Sequence, residues 1–168
     1  MIDLPYLLNL VLDEENKWKA YVSKKYKLSC GLPLVDISYL FPDFNETVDP
    51  YAYLDGATLP IDIALLKALS KKNNVKSYFE IGTWRGESVA NVSSIVTDCK
   101  SFNLSDNDLF DLGKDENYVG MHRFFSDKIE NVEHLYGNSQ DFDFSNYYGK
   151  FDMVFIDGDH HYKSVKND

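Results

Sequence analysis

The sequence predicts an α/β fold, a parallel sheet with flanking helices, over residues 54–168. Three observations predict it. Short apolar runs at 78–81, 101–104, 132–136 and 151–156 alternate with segments of helical spacing. Such alternation implies right-handed crossovers between parallel strands. The last run, Phe151-Asp152-Met153-Val154-Phe155-Ile156, is nearly all apolar, as a strand covered on both faces should be.

Taken in order, Pro5 to Lys27 carries helical spacing through Leu8, Leu12, Trp18, Val22 and Tyr26. Leu28 to Asp55 reads as irregular, punctuated by Gly31, Pro33, Pro42 and Pro50. Residues 1–53 are therefore expected to form an accessory helical and irregular cap. A helix follows from Pro60, which suits a first helical position, with Asp62 favoured by the helix dipole. Ile61, Leu65, Ala68 and Leu69 share one face, and Asn73-Asn74 supplies a left-handed stop. Beyond it the expected elements are strand 78–81, turn 82–86, helix 87–96, strand 101–104, helix 118–129, strand 132–136 and strand 151–156.

Composition narrows the function. The 168 residues are 44% hydrophobic, with 11 Phe and 12 Tyr, which fits a globular chain able to bury a core. A formal charge of −10 argues against a nucleic-acid partner, because phosphate is repelled by a surface acidic overall. The apolar stretch Leu7–Leu12 is far too short to span a bilayer and runs into Asp13-Glu14-Glu15. Cys30 and Cys99 show no metal-ligand or redox spacing and read as buried thiols of a reducing, cytoplasmic setting.

The sharpest local signal is Glu80-Ile81-Gly82-Thr83-Trp84-Arg85-Gly86-Glu87-Ser88. In a parallel sheet the ligand crevice lies beyond the carboxyl ends of the strands, where this turn falls. Gly82 and Gly86 let the backbone turn sharply and approach a ligand. The glycines lie four apart among bulky residues, a poor fit to the G-x-G-x-x-G turn that cradles a pyrophosphate, so an NAD-dependent oxidoreductase is disfavoured. The other strands end in Asn103-Leu104-Ser105-Asp106, in Gly137-Asn138-Ser139-Gln140-Asp141 and in Asp157-Gly158-Asp159-His160-His161-Tyr162. Four successive strands delivering polar groups to one sheet edge is a pattern packing alone does not require.

Together, Glu80 to Ser88, Asn103, Gly137 to Gln140 and Asp157 to Tyr162 resemble the class I S-adenosylmethionine-dependent methyltransferases, and within them the catechol-O-methyltransferase-like and macrocin-type sugar O-methyltransferases. The resemblance covers about Leu54 to Asp168 and implies a Rossmann-like S-adenosylmethionine-binding domain over 54–168. It implies O-methylation of a small-molecule acceptor such as a sugar or glycan precursor. Glu80 would organise the turn; Gly82, Thr83, Trp84 and Gly86 would line the methionine and sulfonium end, and Ser88 would bind its carboxylate. Asn103 stands where the family carries a ribose-binding carboxylate, a departure that implies either weaker cofactor binding or an offset by Asp106; Asn138 and Ser139 would contact adenine. Asp157 corresponds to the carboxylate below the transferring methyl and, in many relatives, a Mg²⁺ ligand. His160 falls where relatives carry the group that deprotonates the acceptor, a role a near-neutral imidazole suits.

Other polar residues have plainer readings. Arg85 and Glu87 read as a solvated pair, His122 and His134 as helix and strand surface, His161 as surface, and Tyr147-Tyr148 as a packed loop. The resemblance also implies further strands after 168, so the sheet is expected to lack its C-terminal strands and the 151–156 strand to lie at an open edge. A fragment, a truncated reading frame, and completion by a partner such as a second copy are the three expectations; a non-catalytic S-adenosylmethionine-binding module is the functional alternative.

Overall fold

The computed structural model describes residues 20–28 and 35–168. Most of the helix expected over Pro5–Lys27, and Cys30, lie outside the described residues; 20–25 are helical. The chain divides into two compact units, 1–44 and 45–168. In the first, the stretch expected to be irregular contains one helical turn, α1 (Ile37–Leu40), capped where the Asp36 carboxylate accepts from Ser38 N.

The second unit runs α2 (Pro60–Lys72), β1 (Ser77–Ile81), α3 (Glu87–Ser93), β2 (Asp98–Asn103), α4 (Asp106–Asp111), α5 (Glu116–Met121), β3 (Val132–Tyr136), β4 (Met153–Ile156) and α6 (Tyr162–Asn167). The four strands form one sheet in the order β3-β2-β1-β4, and every pairing is parallel. From β1 the chain steps one way to β2 and β3, then returns past β1 to lay β4 on its other side. This is the Rossmann-like switch point, where the crevice between diverging loops receives a ligand.

α2 starts on Pro60 as expected and stops at Asn73, with Asn74 left-handed at φ 53°. Its buried face differs from the expected one. Ile63, Ala64, Lys67 and Ala68 are buried while Ile61 is half exposed. Lys67 is tolerated inside because its ammonium donates to Thr47 O at 2.6 Å.

One face of the sheet packs Tyr78, Val89, Val92, Val96, Cys99 and Val132 into an aliphatic core. There burial pushes the Cys99 thiol up to about 12, leaving it inert. The opposite face, Phe79, Ile81 and Phe102, is covered by a loop and a 3₁₀ turn (Phe144–Tyr147) rather than a helix. Phe79 meets Phe151 at 4.9 Å and Phe102 meets Phe142 at 4.5 Å, ring to ring. Tyr147 joins this layer, whereas Tyr148 is largely exposed.

Two expectations are corrected. The helix expected over 118–129 ends at Met121, because Arg123 turns left-handed at φ 62° and Phe125 N donates to Arg85 O at 2.8 Å. β4 is not covered on both faces: Met153 and Phe155 pack on the aliphatic core, but Val154 and Ile156 are 55% and 40% exposed. Among the described residues β4 pairs with β1 alone.

Candidate functional site

The site begins with a buried carboxylate. Glu80 is fully buried on β1 and accepts from Tyr78 Oη at 2.6 Å, Ser88 Oγ at 2.8 Å and Thr83 Oγ1 at 2.9 Å. Burial pushes its pKa up to about 7; the three donors pull it down, and the nearby Asp157 charge adds to the rise. The network extends to β2. Thr83 Oγ1 pairs with Ser101 Oγ, which accepts from Asn103 Nδ2 at 2.7 Å, and Asn103 Oδ1 accepts from Thr83 N at 2.7 Å. The turn after β1 is thus tied from below by Glu80 and from the side by Asn103.

Close approach explains both glycines. A Cβ on Gly82 (φ 85°) would lie 2.5 Å from Asp157 O and 2.6 Å from Gly158 N, so the β1 and β4 turns touch there. A Cβ on Gly86 (φ 87°) would lie 2.8 Å from Ser126 Cβ. Between them Trp84 is held left-handed at φ 46°, its carbonyl accepting from Arg123 N at 2.7 Å.

Arg85 and Glu87 are not a solvated pair. They are 2% and 3% exposed and joined by a 2.9 Å Nε–Oε1 bond, and the guanidinium also donates to Asp55 O and Leu54 O. Those carbonyls satisfy the donors that burial would otherwise orphan, and they pin the segment before α2 beside the turn.

Beyond the strand ends lies a crevice with two lobes. The larger, about 670 Å³, is walled by Gly82–Trp84, by Asn103 and Leu104 at the end of β2, by Asn138–Gln140 after β3, by Asp157–Asp159 after β4, and by Leu109, Leu112, Lys114, Tyr118 and His122 in and around α4 and α5. The smaller, about 320 Å³, is walled by Gly56–Thr58, Gly82–Trp84, Glu87, Ser88, Asp157, Gly158 and His160. The lobes share Gly82–Trp84 and Asp157–Gly158. Both volumes lie in the range that takes small ligands, roughly 300–1,000 Å³.

The expected residues therefore converge, with distinctions. Gly82, Thr83, Trp84, Asn103, Asn138, Ser139 and Asp157 line the crevice, and Ser88 and His160 its smaller lobe. Glu80 and Gly86 stand behind it. Asp106, named as an offset for Asn103, instead pairs with Arg123 Nη2 at 2.8 Å and is absent from the lining. Asp157 Oδ2 accepts from Thr58 Oγ1 at 2.7 Å, and its Oδ1 lies 3.5 Å from His160 Nε2. Asp159 accepts from Ser164 Oγ at 2.6 Å and bonds His161, which holds its carboxyl down to about 2.

Sequence reasoning missed Thr58, Lys114, Tyr118 and His122. Thr58 has no motif around it, and α4 and α5 reach the crevice only through the tertiary fold. His122 is half-buried rather than on a surface, with Nδ1 2.7 Å from Arg123 Nη1. His134 is likewise half-buried, and burial lowers its pKa.

The described residues do not fit a Mg²⁺ ion at Asp157. One carboxylate oxygen already accepts a hydroxyl proton. No group of three His, Cys, Asp or Glu able to hold a metal occurs among the described residues. Nor is any helix among them long and apolar enough to cross a membrane.

Comparison with known proteins agrees with this geometry. A family model described as a methyltransferase domain matches residues 79–168. No curated protein matches the chain. Among solved structures, a methyltransferase of Podospora anserina bound to S-adenosylhomocysteine aligns with a TM-score of 0.51 at 14% identity, over 81% of this chain and 64% of that one. An O-methyltransferase of Bacillus cereus in complex with S-adenosylhomocysteine aligns with a TM-score of 0.42 at 19% identity, over 63% of this chain and 48% of that one. The O-methyltransferase of Streptomyces achromogenes involved in tomaymycin synthesis aligns with a TM-score of 0.41 at 17% identity, over 84% and 60%. The chain thus spans about half to two-thirds of the length of these structures. With the family model covering more than half of its residues and the switch-point crevice built at the matched strand ends, the chain belongs to the class I S-adenosylmethionine-dependent methyltransferase family.

Proposed function

We propose that the crevice binds S-adenosylmethionine across both lobes and serves O-methylation of a small-molecule acceptor such as a sugar or glycan precursor. The observation that carries the reading is the meeting of the lobes at Gly82–Trp84 and Asp157–Gly158, where an extended ligand would bend past a carboxylate. The larger lobe pairs apolar faces, Phe102 and Leu104, with the polar Asn138–Gln140 edge, as a purine requires. Adenosine there leaves the methionine for the smaller lobe. Ser88 Oγ is engaged by Glu80, so its contact with the carboxylate would come from the backbone amide.

When bound, S-adenosylmethionine would supply a methyl to an acceptor oxygen in line, the O–CH₃ bond forming as the S–CH₃ bond breaks and S-adenosylhomocysteine leaves. The chain's own contribution is then positional and electrostatic. Asp157, held by Thr58, would offer its carboxylate to the sulfonium charge. Trp84, which lines both lobes, would add its ring to that cation. His160 takes the acceptor proton on Nδ1, the nitrogen turned from Asp157, and Asp157 steadies the imidazolium that results. A free buried thiol at Cys99 suits a reducing, cytoplasmic setting.

Calorimetric titration with S-adenosylhomocysteine and NAD side by side tests the reading. Saturable binding of the first and silence from the second is expected; the reverse would assign the crevice to a nicotinamide ligand.

A further inference from the structure

We infer that His122 is a ligand-recognition residue of the larger lobe, its ring N–H donating to a ribose oxygen of the bound adenosyl group. The inference deepens the proposed function and rests on it.

The end of β2 is the usual place for a carboxylate that binds ribose. Here that position carries Asn103, whose amide is engaged at both ends, by Thr83 N and by Ser101 Oγ. Asp106 faces Arg123 instead. The carboxylates that do line the larger lobe, Asp157 and Asp159, both lie in the turn after β4. The wall nearest α5 offers Tyr118 and His122, with the Trp84 ring 4.2 Å from Tyr118 and 6.4 Å from His122.

The chemistry of His122 is fixed by its neighbour. Its Nδ1 lies 2.7 Å from Nη1 of Arg123. A guanidinium has donors only and keeps its proton, so Nδ1 must accept and the ring is neutral with its single proton on Nε2. Arg123 is itself immobilised. It is 8% exposed, bonded to Asp106 at 2.8 Å, within 3.8 Å of Asp127, and tied by its backbone N to Trp84 O. The tautomer is therefore locked, and the imidazole presents a fixed donor on a wall that also carries Leu109, Leu112, Lys114 and Tyr118. Unlike the Lys114 ammonium in the same lining, this neutral directional donor orients an oxygen acceptor without adding charge. Burial and the adjacent Arg123 charge push the His122 pKa down to about 4, so the ring stays neutral across ordinary pH.

The test measures calorimetric affinities of wild type, His122→Leu and His122→Gln for S-adenosylhomocysteine and its 2′-deoxy and 3′-deoxy analogues. His122→Leu is expected to weaken S-adenosylhomocysteine about tenfold and to erase the preference over one deoxy analogue. His122→Gln keeps an N–H donor and is expected to recover most of both. Ring ¹⁵N shifts in wild type, independent of any variant's folding, are expected to show protonated Nε2 and bare Nδ1. Unchanged affinity in His122→Leu, equal weakening for all three ligands, or a proton on Nδ1 would each overturn this inference alone. Wild type that binds none of the three would overturn the proposed function with it.

Discussion

At the end of β1, Glu80 is fully buried beneath three hydroxyl donors, whereas at the end of β4 the His160 side chain is 83% exposed. The two ends touch, at Gly82 and Gly158, yet they are held by different means. Buried hydrogen bonds and three left-handed residues, Gly82, Trp84 and Gly86, fix the first turn. The second is steadied by Thr58, by the His160 pair and by Ser164 on Asp159. A turn so constrained is suited to a ligand every turnover must hold in one pose; an exposed imidazole is suited to meeting an acceptor from solvent.

Substitutions at the two ends should separate these roles, from large effects to small. Gly82→Ala places a Cβ within 2.6 Å of Gly158 N at φ 85°. Overpacking and the left-handed backbone together should cost about 2–4 kcal/mol, read by thermal melting, and should abolish S-adenosylhomocysteine binding. Next, Glu80→Ala leaves the Tyr78, Thr83 and Ser88 hydroxyls without their buried acceptor. A loss of about 2–3 kcal/mol in urea unfolding is expected. Thr58→Val should be milder, about 1 kcal/mol, since Asp157 keeps access to solvent. At the bottom of the series, His160→Ala should shift stability by no more than about 0.5 kcal/mol while methyl transfer falls about 10²–10⁴-fold. A large loss of stability in His160→Ala would break the contrast.

Acid titration sharpens it further, because a buried and a half-buried group act with opposite sign. Glu80 has a folded pKa of about 7 against an ordinary 4.5. The folded state holds the proton longer, so this contribution is full below about 4.5 and is lost as pH rises through 7. His122, faced by Arg123, Asp106 and His134, has a folded pKa of about 4 against 6.5. The unfolded state binds that proton more readily, so stability is full above 6.5 and falls as pH drops toward 4. Glu80→Gln should therefore leave stability rising with pH across this window, and His122→Gln should leave it falling, by urea unfolding at stepped pH.

What the sequence disclosed follows the same division. The strands β1 and β3, the turn glycines and the start of α2 were legible because local backbone chemistry demands those residue types there: glycine at φ 85°, proline at a first helical position, asparagine at a left-handed stop. Arg85 and Glu87 misled because a charged pair two residues apart looks solvated. Only the carbonyls of Leu54 and Asp55, some thirty residues away, make its burial tolerable. The break after Met121 was hidden for a similar reason. Phe124, Phe125 and Ile129 continue a helical pattern that the ties of Arg123 to Trp84 and of Phe125 to Arg85 override. Thr58 and His122 reach the crevice through tertiary placement, which no local pattern encodes.

One adenosyl ligand lying along a rim assembled from four strand ends is the central requirement. Backbone amide shifts on titration with S-adenosylhomocysteine test it most directly. Concerted, saturable changes at Gly82, Asn103, Ser139 and Asp157 with a single affinity are the expected result. Changes confined to one strand end, or scattered away from the rim, would contradict it.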